Sequence, residues 1–127
     1  MTNKNNEFSL KAISPIDGRY ASQIDEKISD INSEYGLIKK RLYIEIQWFI
    51  FLSWLAPIKK KFSLNKSEKD YLLKIDEEFS IKDAIKIKDI EKKTNHDVKS
   101  VEYFLKRKFD SKKSIKNNKK IKNLYEK

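Results

Sequence analysis

The sequence predicts an all-α protein, and three observations lead to this prediction. Apolar residues recur in steps of three and four over most of the chain, and no useful stretch alternates apolar with polar residues as a strand would. Only two glycines are present, at positions 18 and 36, so signals for tight turns are scarce. The length of 127 residues suits one modest hydrophobic core but not several.

After a loose lead-in over residues 1–12, the only cluster of proline and glycine lies at 14–20 (Ser-Pro-Ile-Asp-Gly-Arg-Tyr). Pro15 fixes its own φ angle and Asp-Gly is a strong turn signal, so the loop should hold Arg19 and Tyr20 in a defined direction. A planar guanidinium suits a phosphate or a carboxylate, because it binds either in bidentate fashion. The alternative is a plain surface turn with an exposed arginine.

A long helix is predicted from about residue 33 to residue 55. One apolar stripe follows its 3.6-residue period, and further aromatic and aliphatic residues fill other faces, so we expect a helix buried on several sides. The stripe consists of Ile38, Leu42, Ile46, Phe49 and Leu52. The most apolar stretch, 48–58, is too short to cross a bilayer and contains Pro57, so no membrane partner is predicted.

Two shorter helices should follow, each opened by a serine with an aspartate three residues later. The first pair is Ser67 with Asp70, and the second is Ser80 with Asp83. The apolar stripe of the second helix could continue without interruption toward Leu105. We favour a break at Thr94, because threonine and asparagine are better caps than interior residues.

The last helix should begin with a capping box formed by Thr94 and Asp97. Its first turn contains His96, the only histidine of the chain. Unpaired backbone N–H groups and the helix dipole attract anions there, and an imidazole can titrate near neutral pH. The alternative is an ordinary surface or capping histidine. With one histidine and no cysteine, we predict no metal, and no sequence motif indicates a cofactor.

The net charge of +10 is concentrated at the end of the chain. Residues 106–127 hold ten basic and two acidic residues, whereas residues 1–105 hold 19 basic and 17 acidic residues. We therefore predict a helical domain at 1–109 and a lysine-rich, disordered tail at 110–127. A basic helical module that binds nucleic acid is an alternative that the nearly neutral folded part disfavours. The polar N-terminus has no signal-peptide core, which favours the cytoplasm.

Two constellations together resemble a known family. The first is the loop at 14–20, followed by Ser-Glu-Tyr-Gly-Leu at 33–37 and then by Arg41 with Glu45. The second is Lys-Thr-Asn-His-Asp-Val at 93–98 with Val-Glu-Tyr-Phe-Leu at 101–105. In this order and at these separations they resemble the N-terminal helical domain of adenylosuccinate lyases of the longer bacterial type. These enzymes belong to the fumarase/aspartase superfamily.

The resemblance implies a role for each matching residue. Arg19 and Tyr20 would bind the nucleotide part of the substrate, and Asn95, His96 and Asp97 would contribute to the same site. The family's reaction is a β-elimination that releases fumarate from adenylosuccinate to give AMP. The same enzymes cleave succinyl-aminoimidazole-carboxamide ribotide earlier in purine synthesis. They need no cofactor and are homotetramers, so we expect further subunit portions or self-association.

The resemblance runs from about Leu10 to Arg107, and the sequence then departs from the family. The family's general acid and base, a second histidine and a loop serine, lie downstream of the matched region, and this chain has no second histidine. We therefore place no catalytic residue in this chain and expect no independent lyase activity. A fragment, a reading frame cut or shifted near Asp110, and an inactive remnant of a degraded gene all fit this departure.

Overall fold

A computed structural model describes residues 10–55 and 63–112. The chain divides into two compact units, 1–36 and 37–127. The regular elements in the described ranges are all helical, which confirms the predicted all-α class. The predicted lead-in mostly precedes the described ranges, Pro57 falls in the gap between them, and most of the predicted tail follows them. The division at residue 109 stays a prediction.

Among its described residues, 10–36, the first unit contains a loop, a 3-10 turn and a short helix. The loop at 14–20 closes through backbone hydrogen bonds from Gly18 to Ser14 and from Tyr20 to Pro15, with N–O distances of 3.1 and 2.8 Å. The 3-10 turn Ala21–Gln23 follows, and then helix α1, Glu26–Asn32. The turn predicted from the Pro and Asp-Gly signals is therefore confirmed.

Gly36, in the first turn of helix α2, Glu34–Leu52, lies against the backbone of α1. A Cβ atom at this position would lie 2.3 Å from the carbonyl oxygen of Asp30 and 2.5 Å from that of Ile31. Both neighbours are backbone atoms, so no side-chain rotation could relieve the overlap. The hydroxyl of Ser33 accepts the N–H of Gly36 at 3.2 Å and so caps the start of α2.

In its described residues, the second unit contains most of α2 and three further helices: α3, Lys66–Glu77, α4, Ile81–Thr94, and α5, Asp97–Ser111. The predicted stripe of α2 faces the core, since Ile38, Leu42 and Ile46 are at most 2% exposed. Aromatic contacts join the helices, with ring centroids 5.4 Å apart for Phe49 and Phe109. The remaining buried apolar residues are Leu64, Leu72, Ile75, Phe79, Ala84, Ile87, Ile90, Val101, Phe104 and Leu105.

One of the two predicted serine starts is confirmed and the other is wrong. At α4, both the backbone N–H and the hydroxyl of Ser80 donate to the carboxylate of Asp83. At α3, the cap is Asn65 rather than Ser67: its side chain accepts the N–H of Glu68, whose carboxylate accepts the N–H of Asn65, both at 2.9 Å. Asn65 adopts the extended conformation that a cap needs, which leaves Ser67 inside the first turn.

The expectation that α2 is buried on several sides is wrong. Ile44, Trp48 and Phe51 are each more than half exposed, and the Trp48 ring stacks on that of Phe51. These residues follow one another in steps of four and three, so they form a second apolar stripe beside the buried one. None of the described helices is both long enough and apolar enough to cross a membrane.

Candidate functional site

The α4–α5 junction is a two-residue link that places three of the five predicted site residues side by side. Asn95 ends α4 in the left-handed conformation, with φ 52° and ψ 32°, and its N–H donates to the carbonyl of Glu91 at 2.7 Å. Asparagine tolerates this region better than most residues other than glycine. His96 is extended, and α5 begins at Asp97. The predicted break near Thr94 is confirmed.

His96, not Thr94, caps α5. The Nδ1 atom of His96 accepts the backbone N–H of Lys99 at 3.3 Å. The predicted capping box of Thr94 and Asp97 is therefore wrong, because Thr94 still belongs to α4 and the left-handed Asn95 moves the start of α5 two residues further. The Asp97 carboxylate instead accepts the N–H of the next residue, Val98, at 2.8 Å.

Hydrogen bonds from two side-chain hydroxyl groups hold the α4–α5 junction in place. Ser100 is fully buried, and its hydroxyl donates to the carbonyl oxygen of His96. The hydroxyl of Thr94 lies 3.1 Å from that of Ser100 and donates to the same carbonyl at 3.2 Å. Three hydrogen bonds, counting the Ser100 N–H, thus converge on His96. The backbone that carries the imidazole is held by α4 and α5 together.

Arg41 on α2 pairs with the first residue of α5. Its Nη2 atom lies 2.6 Å from Oδ2 of Asp97. The pKa of the Asp97 carboxyl lies below its ordinary value, chiefly because the Val98 amide donates to it, and the Arg41 charge adds to this effect while desolvation opposes it. Asp97 therefore remains ionised near neutral pH, and its negative charge is matched by a guanidinium.

A second charged group lies one turn further along the same two helices. On α5, the Lys99 ammonium pairs with the Glu102 carboxylate. Glu45, one turn after Arg41 on α2, has a pKa raised above its ordinary 4.5, chiefly by burial and then by the nearby Glu102 carboxylate, with Lys99 acting in the opposite direction. Arg41 and Glu45 therefore line the side of α2 that faces the start of α5.

Replacing Glu45 with glutamine is expected to raise the melting temperature near neutral pH. Between pH 4.5 and the raised folded-state pKa, the folded chain binds more protons than the unfolded chain, so Glu45 lowers stability as the pH rises through this interval. The gain should persist at pH 7 and vanish below about pH 4, where the carboxyl is protonated in both states. Calorimetry of wild type and variant from pH 3.5 to pH 7.5 measures it. Glu77→Gln, on the exposed side of α3, is the matched control, and a gain independent of pH would contradict the prediction.

The other two predicted site residues, Arg19 and Tyr20, lie in the first unit. Both side chains are exposed, and the Arg19 guanidinium lies 5.1 Å from the centre of the Tyr20 ring. This distance is in the range of a cation–π contact. The pair thus presents a charged planar group beside an aromatic ring, a combination suited to an anionic ligand with a flat base.

The structure brings Asn95, His96 and Asp97 together and adds Arg41 to them. Arg41 belongs to the sequence pattern that resembles the family, but the pattern alone assigns it no role. Its contact with Asp97 joins residues 56 positions apart, so no local periodicity could predict it. The only signal that Arg41 has a role was a basic residue followed four positions later by an acidic residue on a core helix.

Comparisons with known proteins identify the class. No family model matches the chain. It is 46% identical over 110 residues to adenylosuccinate lyase of Buchnera aphidicola (subspecies Schizaphis graminum), covering 84% of this chain and 23% of that protein. It is 50% identical over 101 residues to the adenylosuccinate lyase of Dictyostelium discoideum, covering 79% and 22%. The Escherichia coli K12 enzyme is 47% identical over 100 residues, covering 79% and 22%.

The helical fold and these relatives place the chain in the fumarase/aspartase superfamily. Within that superfamily, the chain belongs to the adenylosuccinate lyase family over the residues that match. It spans less than a quarter of the length of these curated relatives.

Proposed function

We propose that this chain is the N-terminal, substrate-binding part of an adenylosuccinate lyase that acts in the cytoplasm. In this proposal Arg19 and Tyr20 bind the nucleotide part of the substrate, and Asn95, His96 and Asp97 also contribute to substrate binding. The lyase would convert adenylosuccinate to AMP and fumarate, and the related succinyl-carboxamide ribotide to its product in purine synthesis. The observation that carries the proposal is an identity of 46–50% to named adenylosuccinate lyases.

The residues of the loop at 14–20 and those at the start of α5 are both suited to a ligand with several negative charges. Arg19 is exposed and can bind a phosphate or carboxylate in bidentate fashion. At the start of α5, Arg41 offsets the charge of Asp97, so that carboxylate repels an approaching anion less than an unpaired one would. An exposed imidazole beside a helix N-terminus adds a polar group at a position that favours negative charge.

We also propose that the chain alone does not catalyse the elimination. The reaction needs a base to remove a proton beside a carboxylate and an acid to protonate the leaving nitrogen. In the family, a second histidine and a serine supply these functions from positions outside the matched region. This chain has one histidine, and its Nδ1 atom is occupied by the helix cap.

Further portions of lyase subunits are the partners that we propose for the second apolar stripe of α2. A patch of aromatic and aliphatic side chains of this kind marks an interaction surface when it is contiguous. The stripe consists of Ile44, Trp48 and Phe51. Since the matched relatives are more than four times as long as the part that this chain covers, much further polypeptide is available to cover it.

A chimeric enzyme tests the proposed function. The matched 100 residues of the Escherichia coli relative would be replaced by the aligned residues of this chain, and fumarate release would be followed by absorbance. We expect the chimera to be active and the 127-residue chain alone to be inactive. In the chimera, Arg19→Gln should raise KM for adenylosuccinate roughly tenfold or more, whereas Arg107→Gln, on an exposed part of α5, should not. A folded, inactive chimera would contradict the proposal, as would fumarate release by the chain alone.

A further inference from the structure

A groove in the second unit runs along α3 and past the end of α5. Its volume is about 840 Å³, which lies in the range of small-molecule sites, about 300–1,000 Å³. Helix α3 lines it with residues three and four positions apart, from Lys66 to Glu78, and α5 contributes Lys108 and Lys112. Lys108 lies about 16 Å along the helix axis from Asp97. The groove is therefore distinct from the candidate site at the start of α5.

Tyr71 and Ile75 give the groove an aromatic and aliphatic surface. The hydroxyl of Tyr71 donates to the carbonyl oxygen of Lys108 at 3.0 Å, which joins α3 to the last turns of α5 and holds the ring in place. Ile75 follows one turn later on α3 and is 8% exposed. Both side chains line the groove, and such a surface suits the flat part of a ligand.

Two ammonium groups at the groove are not engaged by a carboxylate. Within residues 10–55 and 63–112, neither Lys66 nor Lys112 forms an ion pair. The ammonium group of Lys112 lies 4.1 Å from the centre of the Tyr71 ring. A cation–π contact that remains accessible to solvent is weak, so Lys112 can leave the ring for an anionic group.

Two further lysines of the groove are paired only loosely. The ammonium group of Lys108 lies 3.7 Å from Oδ1 of Asp83, whereas a tight charge-assisted hydrogen bond measures about 2.7–2.9 Å. That oxygen has a closer partner in Lys86, at 3.2 Å. Lys74 lies 3.4 Å from Glu78, and both side chains are largely exposed, which makes their attraction weak. Lys108 and Lys74 can therefore turn to a better acceptor at little cost.

We propose that this groove binds a nucleoside monophosphate. The ammonium groups of Lys66, Lys108 and Lys112 hold the phosphate, because a dianionic oxyanion offers strong acceptors to several cations at once. The base lies against Tyr71 and Ile75. This inference does not depend on the proposed function, because none of these residues is among those assigned to substrate binding.

The carboxylate of Asp70 explains why a whole nucleotide fits the groove better than a bare anion. Asp70 lines the groove one turn after Lys66, and its negative charge opposes an isolated phosphate placed beside it. A carboxylate accepts hydrogen bonds from hydroxyl groups, and the ribose of a nucleotide supplies such groups between its phosphate and its base.

The first test maps where AMP binds. Proton–nitrogen correlation NMR spectra of the 15N-labelled 127-residue chain would be recorded during a titration with AMP. We expect saturable shifts of the backbone amides at 66–71 and 108–112. Shifts confined to 14–20 and 95–97, where the proposed substrate site lies, would overturn the inference, as would no shift at all. An inactive chimera together with shifts along the groove would count against the proposed function alone.

The second test removes the cations. The double variant Lys66→Gln with Lys112→Gln should weaken AMP binding at the groove roughly tenfold or more. The matched control is Lys39→Gln with Lys92→Gln, which removes two exposed lysines that do not line the groove, and it should leave the affinity unchanged. Circular dichroism verifies that both variants keep their helices. Equal losses would show attraction by overall positive charge and would overturn the site.

The third test separates the parts of the ligand, with adenosine and inorganic phosphate as further probes. Each should bind the groove at least roughly tenfold more weakly than AMP, because each lacks one of the two sets of contacts. Inorganic phosphate that binds as tightly as AMP would overturn the placement of the base on Tyr71 and Ile75. Adenosine that binds as tightly as AMP would overturn the role of the lysines.

Discussion

Replacing Leu42 with alanine is expected to lower the free energy of unfolding by about 2–5 kcal/mol, because a fully buried leucine loses both its transfer free energy and its packing. Leu42 is completely inaccessible and lies on α2 between Ile38 and Ile46, which are also buried. A loss of this size is a large share of the stability of a small domain. Urea denaturation followed by circular dichroism at 222 nm measures it.

The matched control for Leu42→Ala is Ile44→Ala, two positions further along the same helix. Ile44 is 59% exposed, so its truncation should change the free energy of unfolding by less than about 1 kcal/mol. Both variants gain alanine in a helix, and the difference between them therefore reports burial rather than helix propensity. Similar losses at the two positions would mean that α2 does not pack with the face described above.

Replacing Trp48 with glutamate is expected to weaken self-association of the chain roughly tenfold or more. We expect the 127-residue chain to self-associate through the second apolar stripe of α2 when no further subunit portion covers it. Trp48 lies in the middle of that stripe and is 53% exposed, stacked on Phe51. Covering the exposed half of a tryptophan removes about 100 Å² from water, or about 2.5 kcal/mol, and a glutamate there would have to be desolvated instead.

Sedimentation velocity over a hundredfold range of chain concentration measures this association. Leu73→Glu, which places the same charge on an exposed apolar residue of α3, is the control and should leave the association constant unchanged. Circular dichroism of each variant verifies that its helices remain. A wild-type chain that stays monomeric at all concentrations would contradict the prediction. Equal effects of the two substitutions would mean that added negative charge, and not the loss of the Trp48 contact, weakens the association.

Much of the fold follows from local sequence, since apolar residues spaced three and four apart predict where α2, α4 and α5 lie and which residues face the core. The break at Thr94 was also predictable, because threonine and asparagine disfavour helix interiors. The capping residues were harder to predict. Several candidates stand close together at both α3 and α5, and which one caps depends on backbone angles such as those of Asn65 and Asn95.

The candidate site was predictable mainly through family resemblance, which supplied Arg19, Tyr20, Asn95, His96 and Asp97. The pairing of Arg41 with Asp97 depends on how α2 packs against α5, and such a contact is settled by tertiary structure. The exposure of Trp48 was missed for a related reason. An apolar residue on a helix indicates burial somewhere, but its covering surface need not belong to the same chain.

The two-residue link between α4 and α5 makes folding and the proposed substrate binding depend on the same short segment. One added residue there would rotate α5 by about 100° about its axis and turn Val101 and Leu105 away from the core that now buries them. Asn95 ends α4, and His96 caps α5. A descendant that had lost catalysis would still need them in order to fold. The presence of these two residues in a homologue therefore indicates first that the link between the two helices is kept. Activity has to be established by measuring the reaction.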